Sequence, residues 1–195
     1  MFARFRKRHQ EGSDPASSDA IHASGGWDKL RDKAEIGRYA VVSGYCAHLE
    51  ARSVLDIGCG EGALAESLRG AGLEDYVGVD FSPVAIAKAQ AKGLPNARFV
   101  VGDAHTHRPD RRFDVIVFNE VLYYLDRPQR AVSRLANWLE PNGLIIVSVF
   151  RNETDWVWRK IEPVCACVDT VTITHGTGLT WDLRLLSSKR RPAQA

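Results

Sequence analysis

The 195-residue sequence predicts an open, doubly wound α/β sheet, and three observations carry that prediction. Short apolar runs alternate with helix-length segments, which is the pattern of parallel strands joined by right-handed crossovers. The first run ends in a cluster of glycines that leads straight into a helical segment. Two β-rich runs at hairpin spacing follow the alternating part, so the predicted sheet has seven strands, mostly parallel, with the last one antiparallel.

Each element has its own signal. From Trp27 the pattern is helical, with Ile36, Tyr39, Ala40 and Ser43 near the spacing of one helix face. Residues 53–57 are a short apolar strand ending in Gly58-Cys59-Gly60-Glu61-Gly62. Residues 63–69 read as a helix closed by Gly70 and Gly72, and 76–80 as the second strand. Ser82-Pro83 supplies an N-cap and a proline for the first turn, opening a helix over 84–92. Strands follow at 97–101 and 113–118, the latter apolar enough to be buried on both faces. A helix at about 129–139, a turn at Pro141-Asn142-Gly143 and a strand at 144–150 complete the alternating part. A short helix near 156–161 precedes β runs at 168–174 and 179–186, separated only by His175-Gly176-Thr177-Gly178.

This organisation gives one domain over 25–187, with 25–50 forming a helical lid. Residues 1–24 are expected to be a disordered basic and polar tail, and 188–195 a second basic tail. The composition, 45 % hydrophobic and 26 % charged, is that of an ordinary globular protein with no membrane-length apolar run. No apolar signal core follows the basic N-terminal residues, so the chain is read as cytoplasmic. Net charge is +2, yet setting aside Arg4, Arg6, Lys7, Arg8 and the basic residues 189–191 leaves the body net negative. Such a body argues against a nucleic-acid groove as partner. Cys46, Cys59, Cys165 and Cys167 match no zinc or redox spacing and are expected to be free thiols.

Ligands of open α/β sheets bind beyond the carboxyl ends of the strands, so the residues just after each strand are the candidates. Gly58 and Gly60 let the backbone approach a ligand closely, although with Ala63 they also satisfy the dinucleotide pattern G-x-G-x-x-G/A. Asp56 helps separate the two readings, because its carboxylate would repel a pyrophosphate and attract a cationic amino group. Asp80 ends the second strand where it can accept ribose hydroxyls, and Phe81 can pack on an adenine. Asp103 and the Ala104 N–H are placed to meet the edge of an adenine. After the fourth strand come Asn119 and Glu120, the latter a candidate base, with Tyr123 and Tyr124 as further pocket residues. His105 and His107 are alternative bases; as a metal pair they have no clear third ligand, so no metal is expected. Trp27 and Tyr39 suit either core packing or an acceptor pocket.

In this order the motifs VLDIGCGEGALAESL, VGVDFSPVAIAKA, FVVGDA, FDVIVFNEVLYYL and LEPNGLIIVSVF resemble the class I S-adenosylmethionine-dependent methyltransferases, over roughly 27–187. The NEVLYYL stretch looks most like the nodulation protein S-type N-methyltransferases and related small-molecule enzymes, and a nucleic-acid amine methylase motif is absent. The resemblance implies a Rossmann-like fold with S-adenosylmethionine as cofactor and S-adenosylhomocysteine as product. It implies that Asp56, Gly58, Cys59 and Gly60 hold the methionine end, Asp80 and Phe81 the ribose and adenine, Asp103 and Ala104 the adenine edge. Asn119 would lie beside the sulfonium. The implied reaction is in-line methyl transfer to an oxygen or nitrogen of a small-molecule or saccharide acceptor, with Glu120, His105 or Tyr123 assisting. An acceptor pocket of Trp27, Tyr39 and Tyr124 is expected. Two other readings stay open: a catalytically silent methyltransferase-like binding domain and a nicotinamide-dependent oxidoreductase. A homo-oligomer is also left open.

Overall fold

The structure is a computed structural model that describes residues 14–151 and 154–189. Seven strands form one sheet: β1 Ser53–Ile57, β2 Asp75–Asp80, β3 Ala97–Val101, β4 Phe113–Asn119, β5 Leu139–Phe150, β6 Cys165–Thr174 and β7 Thr180–Ser188. Their spatial order is β3-β2-β1-β4-β5-β7-β6. β1 to β5 pair in parallel, and β7 enters antiparallel between β5 and β6. The chain reverses its direction of travel across the sheet between β1 and β4, which fixes the switch point there.

Helices cover both faces. On one side α2 (Lys33–His48), α3 (Ala63–Ser67) and α4 (Pro83–Gln90) pack through Val42, Leu64 and Ile86 onto the alternate residues of the strands. On the other, α5 (Pro128–Leu135) and α6 (Asp155–Ile161) do so through Val132, Leu135 and Trp158. β1 is buried at every position, as a central strand covered on both faces must be. Asp114 fastens the opposite end of the sheet, its Oδ2 accepting from Arg52 N, Ser53 N and Ser53 Oγ. Ser82 caps α4 by accepting from Ala85 N at 3.1 Å, ahead of the proline in the first turn.

Four expectations change. The expected tail 1–24 contains a helix, α1 (Pro15–Ala23), capped by Asp14 and burying Ser18 and His22; residues 1–13 lie outside the described residues. α2 turns Arg38, Val42 and Cys46 inward rather than Ile36, which is 59 % exposed. α5 ends at Leu135 and a 3-10 turn carries the chain into β5 at Leu139, so the Pro141-Asn142-Gly143 segment lies inside that strand beside a register shift. β6 starts at Cys165 rather than at 168, with an irregularity between Cys167 and Asp169; Cys165 is buried and Cys167 exposed. All four cysteines are free. Of the second tail, residues up to 189 are described, and Ser188 belongs to β7. Among the described residues no helix is long and apolar enough to cross a membrane.

Candidate active site at the switch point

The carboxyl ends of β1, β2 and β4 converge under two adjoining cavities of about 250 Å³ and 60 Å³. Gly58 carries the turn out of β1 at φ +75°, and a Cβ there would meet Val121 Cγ2 at 2.5 Å. The loop folds back on β2, with Gly58 N and Cys59 N both donating to Val79 O. Gly60 N then donates to Asp80 Oδ2 at 2.9 Å, and Ser82 N to Asp80 Oδ1 at 2.9 Å. Burial raises the Asp80 pKa, and these two backbone donors offset only part of that rise.

Asp56 is the most constrained acid. It is 1 % exposed; Tyr76 Oη donates to its Oδ2 at 2.5 Å, and its Oδ1 has no hydrogen-bond partner. Burial pushes its pKa up to about 7, with the Tyr76 hydrogen bond opposing and the Asp80 charge adding to the rise. Arg38 faces it across the smaller cavity. Its Nε and Nη2 donate to Glu35 Oε2 at 3.1 and 2.7 Å, and Nη1 donates to Asn119 Oδ1. Burial works against the Arg38 charge, but Tyr39, Glu120 and Glu35 outweigh it and hold the guanidinium cationic. A buried cation and a buried carboxylate thus line one small space with Cys59 between them.

The larger cavity is bounded by Asp80 and Phe81 from β2, and by Asp103 and Ala104 from the loop after β3. Asn119 and Glu120 close it at β4. Glu120 stands at φ +60° and is already committed: Ser148 Oγ donates to Oε1 at 2.9 Å, Tyr123 Oη to Oε2 at 2.9 Å and Phe150 N to Oε2 at 3.1 Å. Burial raises its pKa, against the pull of Arg38. Tyr123, Tyr124 and Trp27 face the same cavity.

The roof is α1 and the 3-10 turn Asp28–Arg31, which contribute Pro15, Ser18, His22 and Leu30 to the cavity wall. Asp19 Oδ1 accepts from Ser82 Oγ and from Val84 N, so α1 is tied to the start of α4. His22 Nδ1 lies 3.1 Å from Glu61 Oε1, and Lys88 Nζ donates both to that oxygen and to His22 O. Burial alone would raise the Glu61 pKa, yet the His22 and Lys88 hydrogen bonds hold it below its ordinary value.

Asp56, Gly58, Cys59, Gly60, Asp80, Phe81, Asp103, Ala104 and Asn119 are therefore brought together, and Trp27, Tyr123 and Tyr124 with them. Tyr39 sits instead on the smaller cavity beneath the Arg38 guanidinium, 4.4 Å from its ring centre. His105 is a correction: it faces a separate cleft beside α5, because its N–H is turned back onto Asp103 Oδ1. His107 packs near Gly102, outside both cavities. Among the described residues no group of three or more His, Cys, Asp or Glu side chains is arranged for a metal. Sequence reasoning missed Arg38, His22, Ser18 and Glu61. Asp14-Pro15 was a legible helix start, and stepping back four residues from Cys46 and Val42 reaches Arg38.

A sheet of order β3-β2-β1-β4-β5-β7-β6 with its cavity at the β1–β4 switch point defines the class I methyltransferase fold. The chain belongs to the family described as "Methyltransferase domain", whose profile matches residues 9–181. Among solved structures it is similar to the N-methyltransferase NodS from Bradyrhizobium japonicum WM9 in complex with S-adenosyl-L-homocysteine. That match has a TM-score of 0.70 at 20 % identity and covers 84 % of this chain and 92 % of that one. Malonyl-[acyl-carrier protein] O-methyltransferase from Halalkalibacterium halodurans is 38 % identical over 112 residues, 54 % of this chain and 41 % of that protein. Trans-aconitate 2-methyltransferase from Klebsiella pneumoniae is 36 % identical over 104 residues, 53 % and 41 % of the two lengths. The chain thus spans 41 % of the length of each of these two relatives.

Proposed function

We propose that this chain binds S-adenosylmethionine and transfers its methyl group to an oxygen or nitrogen of a small-molecule acceptor. The observation that carries the reading is Asp56 Oδ1, a buried carboxylate oxygen without a partner, across a small cavity from the Arg38 cation. Opposite charges lining one space match a ligand end that bears both an ammonium and a carboxylate. A dianionic pyrophosphate beside the glycine loop would be repelled by Asp56. Asp80 is assigned to the ribose hydroxyls, Phe81 to the adenine face and the Asp103-Ala104 loop to its edge. Gly58, Cys59 and Gly60 would line the methionine end, and Asn119 the passage between the two cavities.

When bound, the cofactor supplies a methyl group already activated by a sulfonium. What remains for the protein is positioning and exclusion of water. Trp27, Tyr123 and Tyr124 form the acceptor wall in this reading, suited to a planar acceptor or to the face of a sugar ring. α1 and Leu30 shield the cavity from solvent. Glu120 holds Tyr123 and the end of β5 in place, since its oxygens already accept three hydrogen bonds. An amine acceptor needs no base once neutral, which agrees with a site whose one carboxylate near the acceptor wall is so committed.

Calorimetry with S-adenosylhomocysteine, S-adenosylmethionine and NAD, on the wild type and on Asp80→Ala, tests the reading. Binding of the first two, weakened about 100-fold in the variant and absent for NAD, is expected, because two hydrogen bonds to a charged group are lost. Preference for NAD, or no cofactor binding, would overturn it.

A further inference from the structure

We infer that the arginine-lined cleft along α5 is a docking site for an acidic helix on a protein partner. Two adjoining recesses of about 770 Å³ and 400 Å³ share Arg134 and Asn137 and lie apart from the cofactor cavities. They are lined by five arginines, Arg108, Arg112, Arg127, Arg130 and Arg134, against a single carboxylate, Asp126. The ion-paired arginines among the described residues are Arg38, Arg52, Arg98, Arg111, Arg151 and Arg184, so none of the five has a described acid partner. On a body that is net negative without its basic tails, this concentration makes the cleft a local positive patch, with Arg112 held by the Asn137 and Leu139 carbonyls.

A second observation points to a ligand. Among the described residues three buried side-chain polar atoms lack a partner: one is Asp56 Oδ1, and the other two, Gln129 Oε1 and Arg134 Nε, belong to residues lining this cleft. Arg134 Nη1 and Nη2 donate to the His107 and Ala104 carbonyls, which fix its fork in place. Burial disfavours its charge, Asp103 recovers part of that, and Arg108 adds repulsion. An anion in the cleft would relieve that repulsion.

The shape selects the partner. Arg130 and Arg134 fall at i and i+4 on one face of α5, and Arg127 precedes them at the N-cap, so the three follow one another along the helix. A row of cations in a recess fits a rod of opposite charge laid along it. A flat bilayer would meet the rim and not the recess, and a duplex would need a wider positive field than this body provides. The loop after β3 is shared, with Asp103 and Ala104 facing the cofactor cavity and His105 facing the cleft, so an occupant of the cleft leaves the cavity free.

The test uses a labelled helical peptide with glutamates along one face, titrated by fluorescence anisotropy into the full chain. The wild type is expected to bind it with strong salt dependence. Arg127→Glu with Arg130→Glu should weaken binding at least about tenfold while circular dichroism and S-adenosylhomocysteine affinity stay unchanged. A variant with Arg4, Arg6 and Arg8 changed to alanine should bind like the wild type. No binding, equal binding by the cleft variant, or loss on neutralising the tail would each overturn the assignment. Tighter binding of phosphatidylglycerol vesicles or of single-stranded RNA, with the same dependence on Arg127 and Arg130, would overturn it as well.

Discussion

The floor and the roof of the large cavity are held by different forces. The floor is made of strand ends anchored in the core: Ile57, Val79 and Phe118 beside them are at most 1 % exposed. Burial of that kind stabilises by ~25 cal/mol per Å² of apolar surface and cannot be undone one residue at a time. The roof, α1, is held mainly through Asp19 to the start of α4, through His22 to Glu61 and through Lys88 to the His22 carbonyl. Individual hydrogen bonds of this kind are each worth ~1 kcal/mol, even where, as at His22 and Ser82, the groups are buried. Gly25, at φ +73°, ends the helix, its N–H donating to His22 O and that of Gly26 to Ile21 O. The contrast teaches that a site can be rigid where it positions and compliant where it admits.

The strongest way to break the contrast is to damage the floor. Gly58→Ala places a methyl 2.5 Å from Val121 Cγ2 at a left-handed φ and is expected to cost about 3 kcal/mol in urea unfolding. Adding Val121→Ala should recover only the part due to the valine methyls, because Val121 Cβ stays 2.8 Å away and the backbone part is untouched; full recovery would show that the φ of Gly58 carries no strain. A smaller effect comes from titrating the floor. With Asp56 raised to about 7, its carboxylate is ionised above that pH and protonated below it. If it meets an ammonium, S-adenosylhomocysteine affinity should fall about tenfold between pH 8 and pH 6, with protons released on binding near pH 7. Asp80 is also raised, so the control is Asp56→Asn, which should flatten the profile. An unchanged slope in that variant would remove Asp56 from the role. The smallest effect belongs to the roof: Asp19→Ala is expected to speed S-adenosylhomocysteine release three- to fivefold, roughly 1 kcal/mol, with little change in thermal unfolding. Equal losses in melting temperature and in retention would mean that α1 belongs to the folded core.

The same contrast explains what could be read in advance. β1, β2 and β4 were legible because their burial is written locally, in runs such as Val54-Leu55 and Val115-Ile116-Val117. The loop residues after them were legible because strand ends dictate where they stand. α1 was missed because it buries Ser18 and His22 rather than an apolar stripe, and its partners Glu61, Ser82 and Lys88 lie far along the chain. Arg38 was missed because its place against Asn119 depends on how α2 crosses the sheet. His105 was misplaced because one backbone hydrogen bond to Asp103 turns it to the other side of its loop.

β7 has a consequence for the order of assembly. It lies between β5 and β6, so the apolar edge of β5 over Ile145, Val147 and Val149 stays open until Thr180–Ser188 has been made and inserted. During synthesis that edge is an adhesive strip waiting for a segment some thirty residues away. Premature pairing of β6 with β5 would fill the slot with the wrong strand. The irregularity at Cys167, which interrupts the β6 ladder, makes β6 the poorer match for that edge.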